Sequence, residues 1–355
     1  MTVVIVGGGY GGTLVAEALD AETDVVLVDP REAFVNAAAS LRALTRPEWA
    51  HHAFFPFASL LHRGRVLRDR AVSVDPAGVT LASGGRIEAD YLVLATGSGY
   101  PFPAKPLDAS TSVAQQLDDL RTSHRELAGS DRVLILGAGP VGLELAGEIK
   151  DVWPDKRVVI VDRSDRLLPG FLPEVGDELR RRLTELGVDL LLGRGLGTLP
   201  PTGPGPFTVT TDRDDEITAD LWFRAFGVRV NTDYLADGRL TPLTGSALVP
   251  VTERLNVRGY DHVYAIGDII DFPDPRMASY AMAQAEVVVA NVRAQLAGDR
   301  PQAVHTAAPE RRILLPLGTR GGVGQLGGAP LAPEVVHERK GADLFTARFA
   351  GRFRR

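Results

Sequence analysis

Two glycine turns of the same form constrain this chain more than any other feature. TVVIVGGGYGGTLVAEAL at 2–19 sets Gly7-x-Gly9-x-x-Gly12 between an apolar strand pattern and an Ala/Leu helix pattern. VLILGAGPVGLELAGEI at 133–149 repeats the arrangement with Gly137-x-Gly139-x-x-Gly142. In such a turn the first glycine permits the tight bend and the second lets backbone approach a pyrophosphate. The third lets the helix pack on the strand, so that its N-terminus faces the phosphates. Each copy is followed by a second strand with an acid at its end, Val25–Val28 then Asp29, and Val158–Val161 then Asp162. An acid at that place accepts from a ribose hydroxyl.

The two copies match beyond the turns. Each continues through short alternating strands and closes on a buried-looking strand, DYLVLATG at 90–97 and DLWFRAFG at 220–227. Gly7 and Gly97 are 90 residues apart, and so are Gly137 and Gly227. This is the mark of an internal duplication. A further strand, DHVYAIGDI at 261–269, ends in Gly267-Asp268 and precedes a helical pattern over about Met277–Leu296. The expected fold is α/β. It has two Rossmann-type dinucleotide-binding domains, the second inserted in the first, and a small C-terminal domain. The expected boundaries are 1–100 with 245–297 for the first, 101–244 for the second and 298–355 for the third.

Composition removes several function classes. The 355 residues include no cysteine, so disulfides, thiolate catalysis and cysteine-held metals are out of reach. The seven histidines show no metal-ligand spacing, and no metal site is expected. A net charge of −6 without a basic face argues against nucleic acid. No apolar run approaches the ~20 residues of a membrane-spanning helix. The N-terminus enters a strand at once, so no signal peptide is expected. Thr2 stands where N-myristoylation requires glycine. A cytoplasmic protein is expected. Only four lysines remain, Lys105, Lys150, Lys156 and Lys340, which makes each slightly more noticeable.

Two dinucleotide sites in one chain imply an electron donor and an electron relay. Nicotinamide supplies hydride, and flavin can accept it and pass electrons on. The N-terminal turn with its distant YAIGD suits FAD. There Gly7, Gly9, Tyr10, Gly11 and Gly12 would surround the pyrophosphate, with Thr96, Gly97 and Gly267 in the same site. Asp29 would take the adenosine ribose and Asp268 the ribityl chain. The second turn, with Gly137, Gly139 and Gly142, suits the nicotinamide cofactor. Asp162 favours NADH by repelling a 2′-phosphate, whereas Arg163 and Arg166 just beyond it would admit NADPH. Glu144, in the first turn of the second helix, is expected where nicotinamide meets flavin, orienting the ring or relaying a proton. The bland alternative is an acid favoured by the helix dipole. Lys105 in PFPAK is expected close to the same crevice, with an ordinary surface lysine as its alternative.

The order GGGYGG, LVD, ATG, GAGPVGLELAGEI and YAIGD resembles the two-dinucleotide-binding flavoprotein reductases. Further stretches narrow the resemblance: LVDPREAF with Ser40-Leu41-Arg42, ATGSGYPFPAK, GEIKDVWPDKRV, PRMASYAMAQAEVVVANV, GGVGQLGG and KGADLF. Together they are similar to the apoptosis-inducing-factor-like, ferroptosis-suppressor class of FAD-dependent NAD(P)H:quinone oxidoreductases. That class belongs to the pyridine nucleotide-disulfide reductase superfamily and lacks the redox disulfide. The resemblance implies hydride transfer from NAD(P)H to FAD and on to a quinone. It implies that Arg42 reaches the cofactor, that Val72 meets the adenine through its backbone, and that Glu144 is linked to activity. The chain departs from the pattern at Phe226, where an ATG-like turn carries Thr, and at Val35-Asn36, where relatives carry more polar residues. Disulfide reductases of this architecture pass electrons to a dithiol. A chain without cysteine must hand them directly to a bound or docked acceptor.

Other readings remain open at this stage. Electrons could go to a ferredoxin or rubredoxin, or the protein could be a non-catalytic nicotinamide sensor. The chain end adds a further expectation. Phe345, Phe349 and Phe353 recur every four residues, beside Arg348, Arg352 and Arg355. A helix of this pattern would lie weakly in a membrane interface, on the inner face, and admit a lipid-soluble quinone. The alternative is that the three rings dock on the protein's own flavin domain.

Overall fold

The computed structural model describes residues 1–307 and 310–353. The β-branched run of Thr2–Val6 forms the middle of a five-stranded parallel sheet. Its order is Val263–Ala265, Tyr91–Leu94, Thr2–Val6, Asp24–Val28 and Arg65–Leu67. Such strands are apolar throughout because helices or loops must cover both faces; Val3, Val4 and Ile5 are fully buried. The second glycine turn belongs to a four-stranded parallel sheet, ordered Val188–Leu192, Arg157–Asp162, Arg132–Leu136 and Leu221–Arg224. The strand at 263–265 returns to the first sheet after the whole second sheet has been made, so the second unit is inserted in the first. Ser98–Gly99 pairs antiparallel with Arg229–Val230, which ties the outgoing chain to the returning one. Antiparallel strands at 71–88 and 207–219 flank the two sheets.

The first helix spans Tyr10–Leu19 and so begins within the glycine turn, three residues earlier than the Ala/Leu pattern indicates. The second glycine turn leads into Pro140–Val152, where Pro140 supplies a preset φ at the first helical position. Between the units lies Val113–Ala128, opened by a capping box of Ser112 and Gln115. The long helix Ala278–Leu296 lies against Tyr10–Leu19.

The chain end divides between the two cores. A three-stranded antiparallel sheet of Ile313–Pro316, Gly322–Leu326 and Ala329–Leu331 packs Ile313, Leu315 and Val323 into the core of the second unit. The last helix, Thr346–Phe353, sends Phe349 and Phe353 into the core of the first. Of the two expectations for the chain end, this packing matches the docking of the rings on the protein's own first unit. Phe349 is 1% exposed and packs on Phe34 at 4.9 Å and Tyr10 at 5.6 Å between ring centroids. Phe353 stacks on Phe34 at 5.6 Å, and Phe345 is half-buried against the same core. Arg352 donates to Glu17 at 2.6 Å, and Arg355 lies outside the described residues. No described helix is long and apolar enough to cross a membrane.

Candidate functional site

The first glycine turn is held by the acid that follows the neighbouring strand. Gly7 has φ +107°, a region closed to most side chains, and its amide donates to Val28 O at 2.8 Å. A Cβ on Gly12 would land on the Gly7 carbonyl oxygen, so the helix can approach the strand this closely only with glycine there. Asp29 accepts from the Gly8 amide at 2.7 Å and from the Arg31 amide at 2.8 Å. The carboxylate therefore shapes the turn as well as marking its edge.

A cavity of about 1020 Å³ opens from this turn. Gly7, Gly9, Tyr10, Gly11, Asp29, Thr96, Gly97, Gly267 and Asp268, all singled out in the sequence, lie on its wall, with Gly12 packed just behind. Thr96 donates through Oγ1 to Asn231 O at 2.6 Å, a residue of the returning segment. Tyr10 donates to Asn36 Oδ1 at 2.9 Å, and burial pushes its phenol well above the ordinary range. Asp268 accepts from Ser98 Oγ at 2.5 Å, and Lys105 Nζ donates to the Ser98 carbonyl. Burial lowers the Lys105 pKa, while Asp268 pulls it back up. The Gly267 amide donates to Gln284 Oε1 at 2.7 Å, and Gln284 donates to Asp274 Oδ2 at 2.8 Å. His305 Nε2 meets the same oxygen at 2.5 Å.

These residues fit a dinucleotide. A Cβ on Gly9 would meet nothing within 4 Å, so backbone faces open space where a pyrophosphate would lie. Asp274 lies on the cavity wall, and its Oδ1 is buried with no partner among the described residues.

The second unit reaches this cavity through its helix. Pro140, Val141 and Glu144 line it, whereas Gly137, Gly139, Gly142 and Asp162 do not. Their turn nevertheless repeats the first. Gly137 has φ +115° and donates to Val161 O at 2.8 Å, and Asp162 accepts from Ala138 at 2.6 Å and Ser164 at 2.7 Å. Glu144 is 8% exposed, and Lys340 Nζ donates to its Oε1 at 2.6 Å and to Leu314 O at 3.0 Å. Burial raises the Glu144 pKa, and the Lys340 ammonium opposes that rise.

Two residues lie elsewhere than the resemblance implies. Arg42 does not reach the cavity. It is 1% exposed and its guanidinium is committed to Glu148 at 2.8 Å, Gly341 O at 2.7 Å and Gly318 O at 3.1 Å. The expectation of a cofactor contact is corrected accordingly: every nitrogen of the fork donates to protein. Val72 is exposed on the edge strand Ala71–Asp75, at a β-bulge and outside the cavity wall. Sequence reasoning gave no role to Lys340, Ser98, Asn231, Gln284 or Asp274. Lys340 stood out only as one of the four lysines and as part of KGADLF. Ser98 and Gln284 lie within the ATGSGYPFPAK and PRMASYAMAQAEVVVANV stretches, and Asn231 and Asp274 carry no local signal.

Two glycine-turn units that share one cavity, each turn clamped by its own acid, define a two-dinucleotide flavoprotein oxidoreductase. Residues 1–286 match the pyridine nucleotide-disulphide oxidoreductase family, and the chain belongs to that family. It is 32% identical to ferroptosis suppressor protein 1 of Homo sapiens over 97% of this chain and 94% of that protein. The same protein of Taeniopygia guttata is 31% identical over 98% of this chain and 94% of its own length. Among solved structures, a ferredoxin reductase from Rhodopseudomonas palustris shares the fold, with a TM-score of 0.69 and 24% identity. That match covers 85% of this chain and 78% of the other. The protein is an FAD-dependent enzyme that oxidises NAD(P)H.

Proposed function

We propose that this enzyme carries electrons from NADH through FAD to a quinone. One observation carries the choice of acceptor. The cavity wall that carries the Glu144–Lys340 pair also carries the apolar side chains of Met277, Tyr280, Leu314, Leu326 and Phe345. A flat, mostly apolar ring with polar oxygens at its edge suits such a wall. The chain holds no cysteine to relay electrons, so the acceptor must come to the cofactor.

In this reading residues 1–100 and 245–297 hold FAD, and 101–244 hold NADH. Bound FAD supplies the redox chemistry, taking a hydride equivalent and passing on two electrons. Gly7, Gly9, Gly11 and Gly12 carry the pyrophosphate, and Asp29 the adenosine ribose. Asp268, set by Ser98 and Lys105, meets the ribityl chain. Gly137, Gly139 and Gly142 carry the NADH pyrophosphate, with Asp162 at the ribose. Glu144, held by Lys340 Nζ, orients the nicotinamide or relays a proton to a quinone oxygen. The cysteine-free composition suits a reducing cytoplasm, the location we assign.

A second reading rests on charge. Arg276, Arg312, Arg339 and Arg348 are exposed on the cavity wall and form no ion pair among the described residues. Such a rim would also receive an acidic protein acceptor such as ferredoxin. Steady-state NADH oxidation by the FAD-loaded enzyme, with neutral quinones, ferredoxin and oxygen in turn, separates the readings. Fastest turnover is expected with quinones. Turnover with ferredoxin alone would install the second reading. Bound nucleotides without turnover on any acceptor would make the protein a sensor.

A further inference from the structure

Arg42 is the largest fully buried side chain, and it joins three parts of the molecule. It stands on the helix Ala37–Thr45 of the first unit. Its Nε and Nη2 donate to Glu148 Oε1 at 3.0 and 2.8 Å, on the helix Pro140–Val152 of the second unit. Its Nη1 donates to the Gly341 carbonyl at 2.7 Å, and Nη2 also to the Gly318 carbonyl at 3.1 Å, both in the chain-end segment. The Trp49 ring covers the guanidinium at 5.0 Å. Gly341 directly follows Lys340, and Glu148 lies one helical turn beyond Glu144. The one helix thus grips the turn His337–Gly341 twice, by Glu144 to the Lys340 side chain and by Glu148 through Arg42 to the Gly341 carbonyl.

We infer that Arg42 is a positioning residue for the reaction: it fixes the 337–341 turn so that Lys340 holds Glu144 in the shared cavity. The inference rests on the reading of Glu144 at the reacting centre. A buried fork with carbonyls on one side and a carboxylate on the other sets direction as well as distance, which a lysine cannot do. The charged groups that act on Glu144 are Lys340, Glu148 and Arg42; the Tyr10 phenol, on which Glu144 acts, is neutral. With the turn released, Lys340 no longer offsets the burial of Glu144, and the carboxyl takes up its proton at higher pH.

Removing Arg42 alone leaves the buried Glu148 carboxylate with Arg46 as its one remaining ion-pair partner, at 2.8 Å, and unsettles the interior. The test therefore uses Arg42→Gln together with Glu148→Gln, leaving Arg46 to its bond with Asp151. The FAD-loaded double variant should keep one flavin per chain and its KM for NADH within about twofold, while kcat falls about tenfold. The acid limb of its kcat–pH profile should move to higher pH. Lys340→Met should produce the same fall, and adding it to the double variant should change little more, because both act through one contact. An unchanged kcat and pH profile, or falls that multiply, would overturn the inference. A folded variant that emerges without FAD would overturn it too and return Arg42 to the cofactor. Glu144→Gln is measured alongside. If it leaves kcat unchanged, the reading of Glu144 fails, and the inference with it. If it slows turnover while the Arg42/Glu148 variant does not, the inference alone fails.

Discussion

The two glycine-turn units are near copies in backbone and unlike in what surrounds them. In both, the first glycine donates to the end of the neighbouring strand at 2.8 Å, and the acid after that strand accepts the next amide of the turn. In both, a Cβ on the third glycine of the motif, Gly12 or Gly142, would strike the carbonyl of the first. The surroundings then diverge. Thr96 anchors the first closing turn on Asn231, whereas Phe226 in the second is 40% exposed under the Arg224 guanidinium. The first unit is closed over by Ala278–Leu296 and by the last helix, and its turn opens into the large cavity. The second takes the Ile313–Leu331 sheet on its flank and leaves its own turn outside that cavity. The same turn thus opens into the large cavity in one setting and lies outside it in the other. In the proposed function the first holds the relay that stays bound and the second the donor that comes and goes.

The sharpest way to break this contrast is to substitute the same glycine in both units. Gly12→Val should abolish FAD retention and most soluble protein. Gly142→Val should leave a yellow protein that no longer turns over NADH. Flavin-to-protein ratio and NADH oxidation read both; loss of FAD from the Gly142 variant as well would show that the two seats are not separate. Next in size is the helix that closes the first unit. Phe349→Ala should cost about 3–5 kcal/mol in unfolding free energy, the range for a buried phenylalanine. FAD should loosen with it, since Tyr10 and Phe34 lose their cover. Chemical denaturation with and without FAD measures this; a loss under ~1 kcal/mol would mean that the helix rests on the surface. The smallest effect concerns the acid of the second unit. NADH should be preferred over NADPH, and Asp162→Asn should narrow that preference severalfold while FAD content stays constant. Comparison of kcat/KM for the two donors decides it, and a tenfold NADPH preference in the unaltered enzyme would reverse the assignment.

Local chemistry fixes whatever depends on neighbours in sequence. The glycine spacing, the apolar strands before it and the acids after the next strands each reflect a constraint within about 25 residues, visible without any structure. The 90-residue repeat and the returning YAIGD strand then reveal the insertion, because duplicated chains keep their order. The tail stayed open between two readings for a reason of the same kind. A Phe stripe every four residues states that one helical face is apolar, and it says nothing about what covers that face. Here Phe34, Phe55 and Tyr10, some three hundred residues earlier, cover it. Arg42 misled, since a guanidinium can bind a phosphate or a buried carboxylate equally well, and only packing brings Glu148, Gly318 and Gly341 to it. The partner of Glu144 is decided the same way. Its helix position could be read from the sequence, but Lys340 is 196 residues further on and arrives through a turn held between the two units. Contacts within a turn or a strand pair are set by spacing and stereochemistry. Those that join distant segments depend on which cores the segments fill, and for this protein they determine how the reacting end of the cavity is built.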